Sequence, residues 1–93
     1  MTTNAALENI RSALSDGHTN EALSLVEELL LQDKQNPTLL YLQGKAYMKK
    51  SDWPNALNAF LRAEQADPDS PAKECRAMLD EIMAFYNKDM YNQ

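Results

Sequence analysis

Ninety-three residues, 44% of them apolar, are enough for one small domain, which buries only about 60–65% of its unfolded surface and so folds with a narrow stability margin. The formal charge of −5 comes from interspersed Asp and Glu, which argues against a nucleic-acid backbone or an anionic membrane as ligand, since both require a basic surface. The single cysteine, Cys75, excludes an intramolecular disulfide and any metal site built on a cysteine pair.

The chain opens on Met1-Thr2-Thr3-Asn4-Ala5-Ala6-Leu7-Glu8, without the basic start and apolar core of a signal peptide. No run approaches the roughly 20 apolar residues of a membrane span, so a cytoplasmic location is expected. Periodicity and punctuation place helices at about 4–15, 19–33, 37–50, 54–66 and 71–88, an all-α chain with no strand. Gly17 supplies the first turn, and Asn36-Pro37 and Ser70-Pro71 each read as an N-cap followed by proline at the first helical position. Ser51-Asp52 lead into Trp53-Pro54, and Pro68 ends the fourth helix because it lacks the amide that would continue it. The last helix carries Cys75, Met78, Leu79, Ile82 and Tyr86 on one stripe. Connections this short force antiparallel neighbours.

The sequence repeats at an offset of 34: Ala22 meets Ala56, Leu23 meets Leu57, Asp33 meets Asp67, Pro37 meets Pro71 and Val26 meets Phe60. Within residues 37–70, Leu40, Gly44, Ala46, Tyr47, Ala56, Leu57, Phe60, Ala63 and Pro68 have spacings that closely resemble the tetratricopeptide repeat. The mechanism fits the resemblance, because small residues at Gly44, Ala56 and Ala63 let two helices approach while Tyr47 and Phe60 fill the space beside them. The first unit fits less well, with Ile10 where the repeat prefers a small residue and Lys34 where it prefers proline. The residues opposite Gly44, Ala46 and Tyr47 in a third unit are Met78, Asp80 and Glu81, so a capping helix replaces it. The expected architecture is an α-α superhelix forming a single domain: repeat one at about 3–36, repeat two at 37–70, a capping helix at 71–88 and a tail at 89–93.

Nothing in the sequence assembles a catalytic centre. His18 falls in a predicted turn without a nucleophile or carboxylate placed to form a triad. Glu27-Glu28 and Glu64 near Asp67 are expected on solvated faces, Cys75 reads as a small core residue, and two glycines cannot build a phosphate loop. No enzyme activity, cofactor or metal is expected.

The resemblance implies a concave groove lined by the first helix of each hairpin. That face would show Leu7, Arg11 and Leu14, then Tyr41, Lys45 and Met48, each set spaced i, i+4, i+7, with Arg76 reaching the same side from the capping helix. An aromatic, two or three cations and flexible apolar side chains suit an extended peptide with an acidic residue or a free carboxylate terminus. Some members of the family hold chaperone tails with a two-carboxylate clamp. At its positions stand Leu7, Arg11, Leu42, Ala72 and Arg76, and only Arg76 matches, so that mode is not expected. The terminal stretch 85–93 is rich in aromatics, and Phe85, Met90 and Tyr91 are a second candidate interface. The resulting expectation is an interaction module or scaffold that binds a peptide or helix of a partner protein. The alternative is a structural subunit whose copies self-associate as a homodimer into a longer solenoid.

Overall fold

The computed structural model describes residues 4–86. Helix α1 (Asn4–Ser15) turns Ile10, Ala13 and Leu14 inward, and Gly17 takes the left-handed conformation, φ 83°, that ends it. The Gly17 and His18 amides close the turn on the carbonyls of Leu14 and Ala13, at 3.2 and 2.8 Å, so the last carbonyls of the helix are satisfied.

Helix α2 (Thr19–Leu30) buries Ala22, Leu23, Val26 and Leu30. It stops three residues before the expected position 33. The Gln32 and Asp33 amides both turn back to the Leu29 carbonyl, and the Asn36 amide group donates to the Asp33 carboxylate at 2.9 Å. Pro37 also disfavours helical backbone at the residue before it. The early stop leaves Leu31 76% exposed.

Helix α3 (Pro37–Lys49) begins as the sequence indicated: Asn36 Oδ1 accepts from the amides of Thr38 at 2.9 Å and Leu39 at 3.1 Å, with proline at the first turn. It ends in a turn like the first, but Ser51 now occupies the left-handed position, φ 59°. Asp52 then caps α4 (Trp53–Ala66), accepting from the Asn55 amide at 3.4 Å. The helix therefore starts at Trp53 rather than Pro54. Helix α5 (Ala72–Tyr86) starts one residue later than expected, after buried Ser70 accepts from the Ala72 amide at 3.1 Å.

Each helix packs on the next in chain order, and α1 also touches α3. The two hairpins thus stack with their first helices side by side. Phe60, Ile10, Leu39, Leu40, Leu79 and Val26 are fully buried and form one core along the stack. Between α3 and α4, Gly44 lies against the Phe60 ring, where a Cβ would sit 2.6 Å from Phe60 Cδ1. A side chain there would have to displace the buried ring.

On α5, Ala72 and Leu79 are fully buried while Cys75 and Ile82 are partly buried against the core. Met78, expected on that stripe, is 45% exposed, because it lies about 100° around the helix from Leu79. Glu64, expected in full solvent, is instead partly covered by Arg76.

Candidate functional site

The site follows from how α1 and α3 lie together. Arg11 and Leu14 on α1 face Tyr41, Leu42, Lys45 and Lys49 on α3 across a depression of about 290 Å³. Leu14 and Leu42 are buried and form its floor, while the lysines stand at its edge. A second depression of about 190 Å³ shares Arg11 and Tyr41 and runs on between Pro37-Thr38 and the α4–α5 turn, where Asp67 and Asp69 line it. The two adjoin at Arg11 and Tyr41 and make one trough, basic at the Lys45/Lys49 end and acidic at the Asp67/Asp69 end, with the Arg11 guanidinium and the Tyr41 ring between.

Tyr41 is fixed from below and above. Its ring lies 6.0 Å from that of Phe60, tilted by 49°, and Lys45 Nζ sits 6.0 Å from the Tyr41 ring centroid, within reach of a cation–π interaction. The Gly44–Phe60 contact in the core therefore sets the height of the groove aromatic. Burial raises the Tyr41 pKa above the ordinary tyrosine range; the charge and hydrogen bond of Cys75 raise it further, and Arg11 pulls it down. The hydroxyl is neutral at physiological pH and is engaged by Cys75 of α5. Arg11 is held by Glu8, Nη1 to Oε1 at 3.0 Å, on an exposed helix surface where such a pair contributes little.

Four of the residues expected in the groove, Arg11, Leu14, Tyr41 and Lys45, line this trough. Leu7 and Met48 are instead partly buried against the core. Arg76 is directed elsewhere: Nε donates to Glu64 Oε2 at 2.6 Å and Nη1 to Asp80 Oδ2 at 3.0 Å. It ties α5 to α4 rather than extending into the trough. Sequence reasoning passed over Leu42 and Lys49, although Lys49 lies one turn beyond Lys45 on the same helix face and that spacing was the available signal.

Of the second candidate interface, Phe85 is 76% exposed and lines a cleft of about 400 Å³ with Trp53, Glu81 and Ile82. Met90 and Tyr91 lie outside the described residues. His18 stands exposed at the start of α2, with Nδ1 3.6 Å from the Glu21 carboxylate. Among the described residues no group of three His, Cys, Asp or Glu is placed to hold a metal ion, and no helix is long and apolar enough to cross a membrane.

The family model for the tetratricopeptide repeat matches residues 13–79. The solution NMR structure of Bacteroides fragilis protein BF1650 is similar throughout, with 42% sequence identity and a TM-score of 0.83 over 94% of this chain and 89% of that one. A search of curated proteins gives no match.

Proposed function

The chain belongs to the tetratricopeptide repeat family, a family of protein-interaction modules, and we propose that it holds a short peptide or helix of a partner protein in the trough between α1 and α3. The observation that carries this reading is the continuity of the trough through Arg11 and Tyr41. A buried apolar floor of Leu14 and Leu42 accepts aliphatic side chains, and the Tyr41 ring and the cations around it supply direction. The role is binding rather than catalysis.

The polarity of the trough supports one orientation of the guest. Acidic residues lie toward Lys45 and Lys49, where each ammonium donates a charge-assisted hydrogen bond, and a cationic or amino-terminal group lies toward Asp67 and Asp69. Both lysines are on the open side of the groove, so salt weakens binding.

Calorimetric titration of the chain with the probe peptide acetyl-Asp-Leu-Glu-Leu-Lys-amide, acidic at one end and cationic at the other, tests the proposal. The Lys45→Glu/Lys49→Glu variant is expected to bind it at least about tenfold more weakly, the effect of losing one charge-assisted hydrogen bond or more. Equal affinity in the two proteins would overturn the reading.

A further inference from the structure

The basic end of the trough concentrates charge of one sign. The chain has nine lysines and arginines and a net charge of −5. Three of those cations, Arg11, Lys45 and Lys49, line one depression of about 290 Å³ that no aspartate or glutamate lines. Arg11 is held by Glu8 through one hydrogen bond, Nη1 to Oε1 at 3.0 Å, which uses one of the five N–H groups of its guanidinium. Lys45 and Lys49 form no ion pair among the described residues. The three cations and the one carboxylate paired with them therefore leave two positive charges uncompensated. Lys45 and Lys49 also repel each other, because residues four apart on a helix are neighbours with Cβ atoms about 6 Å apart.

Resting on the peptide-binding reading of the trough, we propose that this end reads a phosphorylated side chain, and that the guest is a partner-protein segment carrying one phosphoserine or phosphothreonine. A phosphomonoester brings a charge of about −1.5 to −2 at neutral pH and three acceptor oxygens. That charge matches the two left uncompensated, whereas a single carboxylate leaves one of them. The guanidinium comes from α1 and the two ammonium groups from α3, so the phosphoryl group is met from both walls. Arginine supplies a planar fork for two oxygens, and the lysines act as point charges on flexible stems. Ser15 also lines the depression and adds a hydroxyl donor. A serine or threonine stem is short enough to keep the phosphate at the rim, where the lysines stand. It leaves the buried floor of Leu14 and Leu42 to the aliphatic residues beside it. The opposite end selects against a polyanion, since a nucleic acid or an anionic lipid surface lying along the trough would pass from the three cations onto Asp67 and Asp69. Occupancy of the trough then depends on whether the partner has been phosphorylated.

Calorimetric titration with acetyl-phosphoSer-Leu-Ala-Leu-Lys-amide, and with its counterparts that have Glu or Ser at the first position, tests the proposal. The phosphopeptide is expected to bind at least about tenfold more tightly than the Glu peptide, the effect of about one further charge-assisted hydrogen bond. The Ser peptide is expected to bind most weakly. Arg11→Gln is expected to abolish the preference for phosphate, and Lys45→Glu/Lys49→Glu to reverse it. Lys34→Gln, the same loss of one charge at an exposed residue outside the trough, is expected to keep it. Inorganic phosphate is expected to compete only at concentrations at least about tenfold above those of the phosphopeptide, because it lacks the contacts of the leucines. Equal binding of the phosphorylated and Glu peptides, both weakened by Lys45→Glu/Lys49→Glu, would overturn this proposal and leave the peptide-binding reading intact. Failure of all three peptides and of acetyl-Asp-Leu-Glu-Leu-Lys-amide to bind would overturn both. A preference for phosphate that survives the two trough variants, or competition by inorganic phosphate at the phosphopeptide's own concentration, would overturn it as well. The anion would then be read elsewhere on the chain, or without a guest.

Discussion

Gly44 of α3 meets the ring of Phe60 on α4 with no space for a methyl group between them, since a Cβ there would lie 2.6 Å from Cδ1 and 2.8 Å from Cζ of the ring. Gly44→Ala gains up to about 1 kcal/mol in helix propensity but forces the helices apart, and overpacking of this kind costs about 1–3 kcal/mol. A net destabilisation is expected, measured by urea denaturation. Adding Phe60→Leu should recover part of it, because the smaller side chain yields at the contact, and a double-mutant cycle with no coupling would contradict the packing account.

The α3 start depends on one side chain. Asn36 accepts from two amides at once, at 2.9 and 3.1 Å, and Asn36→Ala should cost about 1 kcal/mol. Asn36→Asp keeps the acceptor and should retain most of that stability, although it faces Asp33 at the position where Asn36 now donates. Thermal melts of the three proteins decide the order.

Gly17 and Ser51 occupy equivalent left-handed turns, with φ 83° and 59°, but only one of them is glycine. Ser51→Gly relieves the Cβ of an unfavourable conformation and should stabilise the chain by up to about 1 kcal/mol. Gly17→Ala should lose about as much even though nothing lies within 4 Å of its would-be Cβ, because the cost is in the backbone and not in packing. Opposite signs for the two substitutions are the expected outcome in chemical denaturation.

The Glu64–Arg76 pair makes stability depend on pH in one direction. The hydrogen bond from Arg76 holds the Glu64 carboxyl below its ordinary value of 4.5, so the unfolded chain takes up the proton first. A depressed carboxylate contributes stability that is fully present above the unfolded value and is lost as pH falls through the lower folded value. Glu64→Gln should therefore lower the melting temperature at pH 7, and the difference should close once the pH has dropped well below 4.5. A gap that stayed constant with pH would mean that the pair contributes nothing through its charge.

The features legible in the sequence were those set by local chemistry or by the repeat. The Asn36-Pro37 cap, the Gly17 turn and the Gly44–Phe60 contact each depend on a residue type that few others can replace. That Arg11, Leu14, Tyr41 and Lys45 face one groove was implied by the resemblance to the tetratricopeptide repeat, and these four line the trough. Arg76 did not, because its partner Glu64 is 12 residues away on another helix, and helix periodicity carries no information on which of two faces a long side chain bridges. Met78 was misassigned for a related reason. An apolar stripe read from one helix is wider than the surface its neighbour covers, and in α5 the neighbour covers Leu79 but not Met78.

The peptide-binding reading stands or falls with one map. In a titration of the isotope-labelled chain with acetyl-Asp-Leu-Glu-Leu-Lys-amide, followed by amide NMR shifts, saturable changes should cluster at Arg11, Leu14, Tyr41, Lys45 and Lys49, which line the trough. They should vanish in Lys45→Glu/Lys49→Glu while the rest of the spectrum is preserved. Shifts centred on the outer faces of α2 and α4, or shifts that persist unchanged in the charge-reversed variant, would show that the trough between α1 and α3 is not where this protein holds its partner.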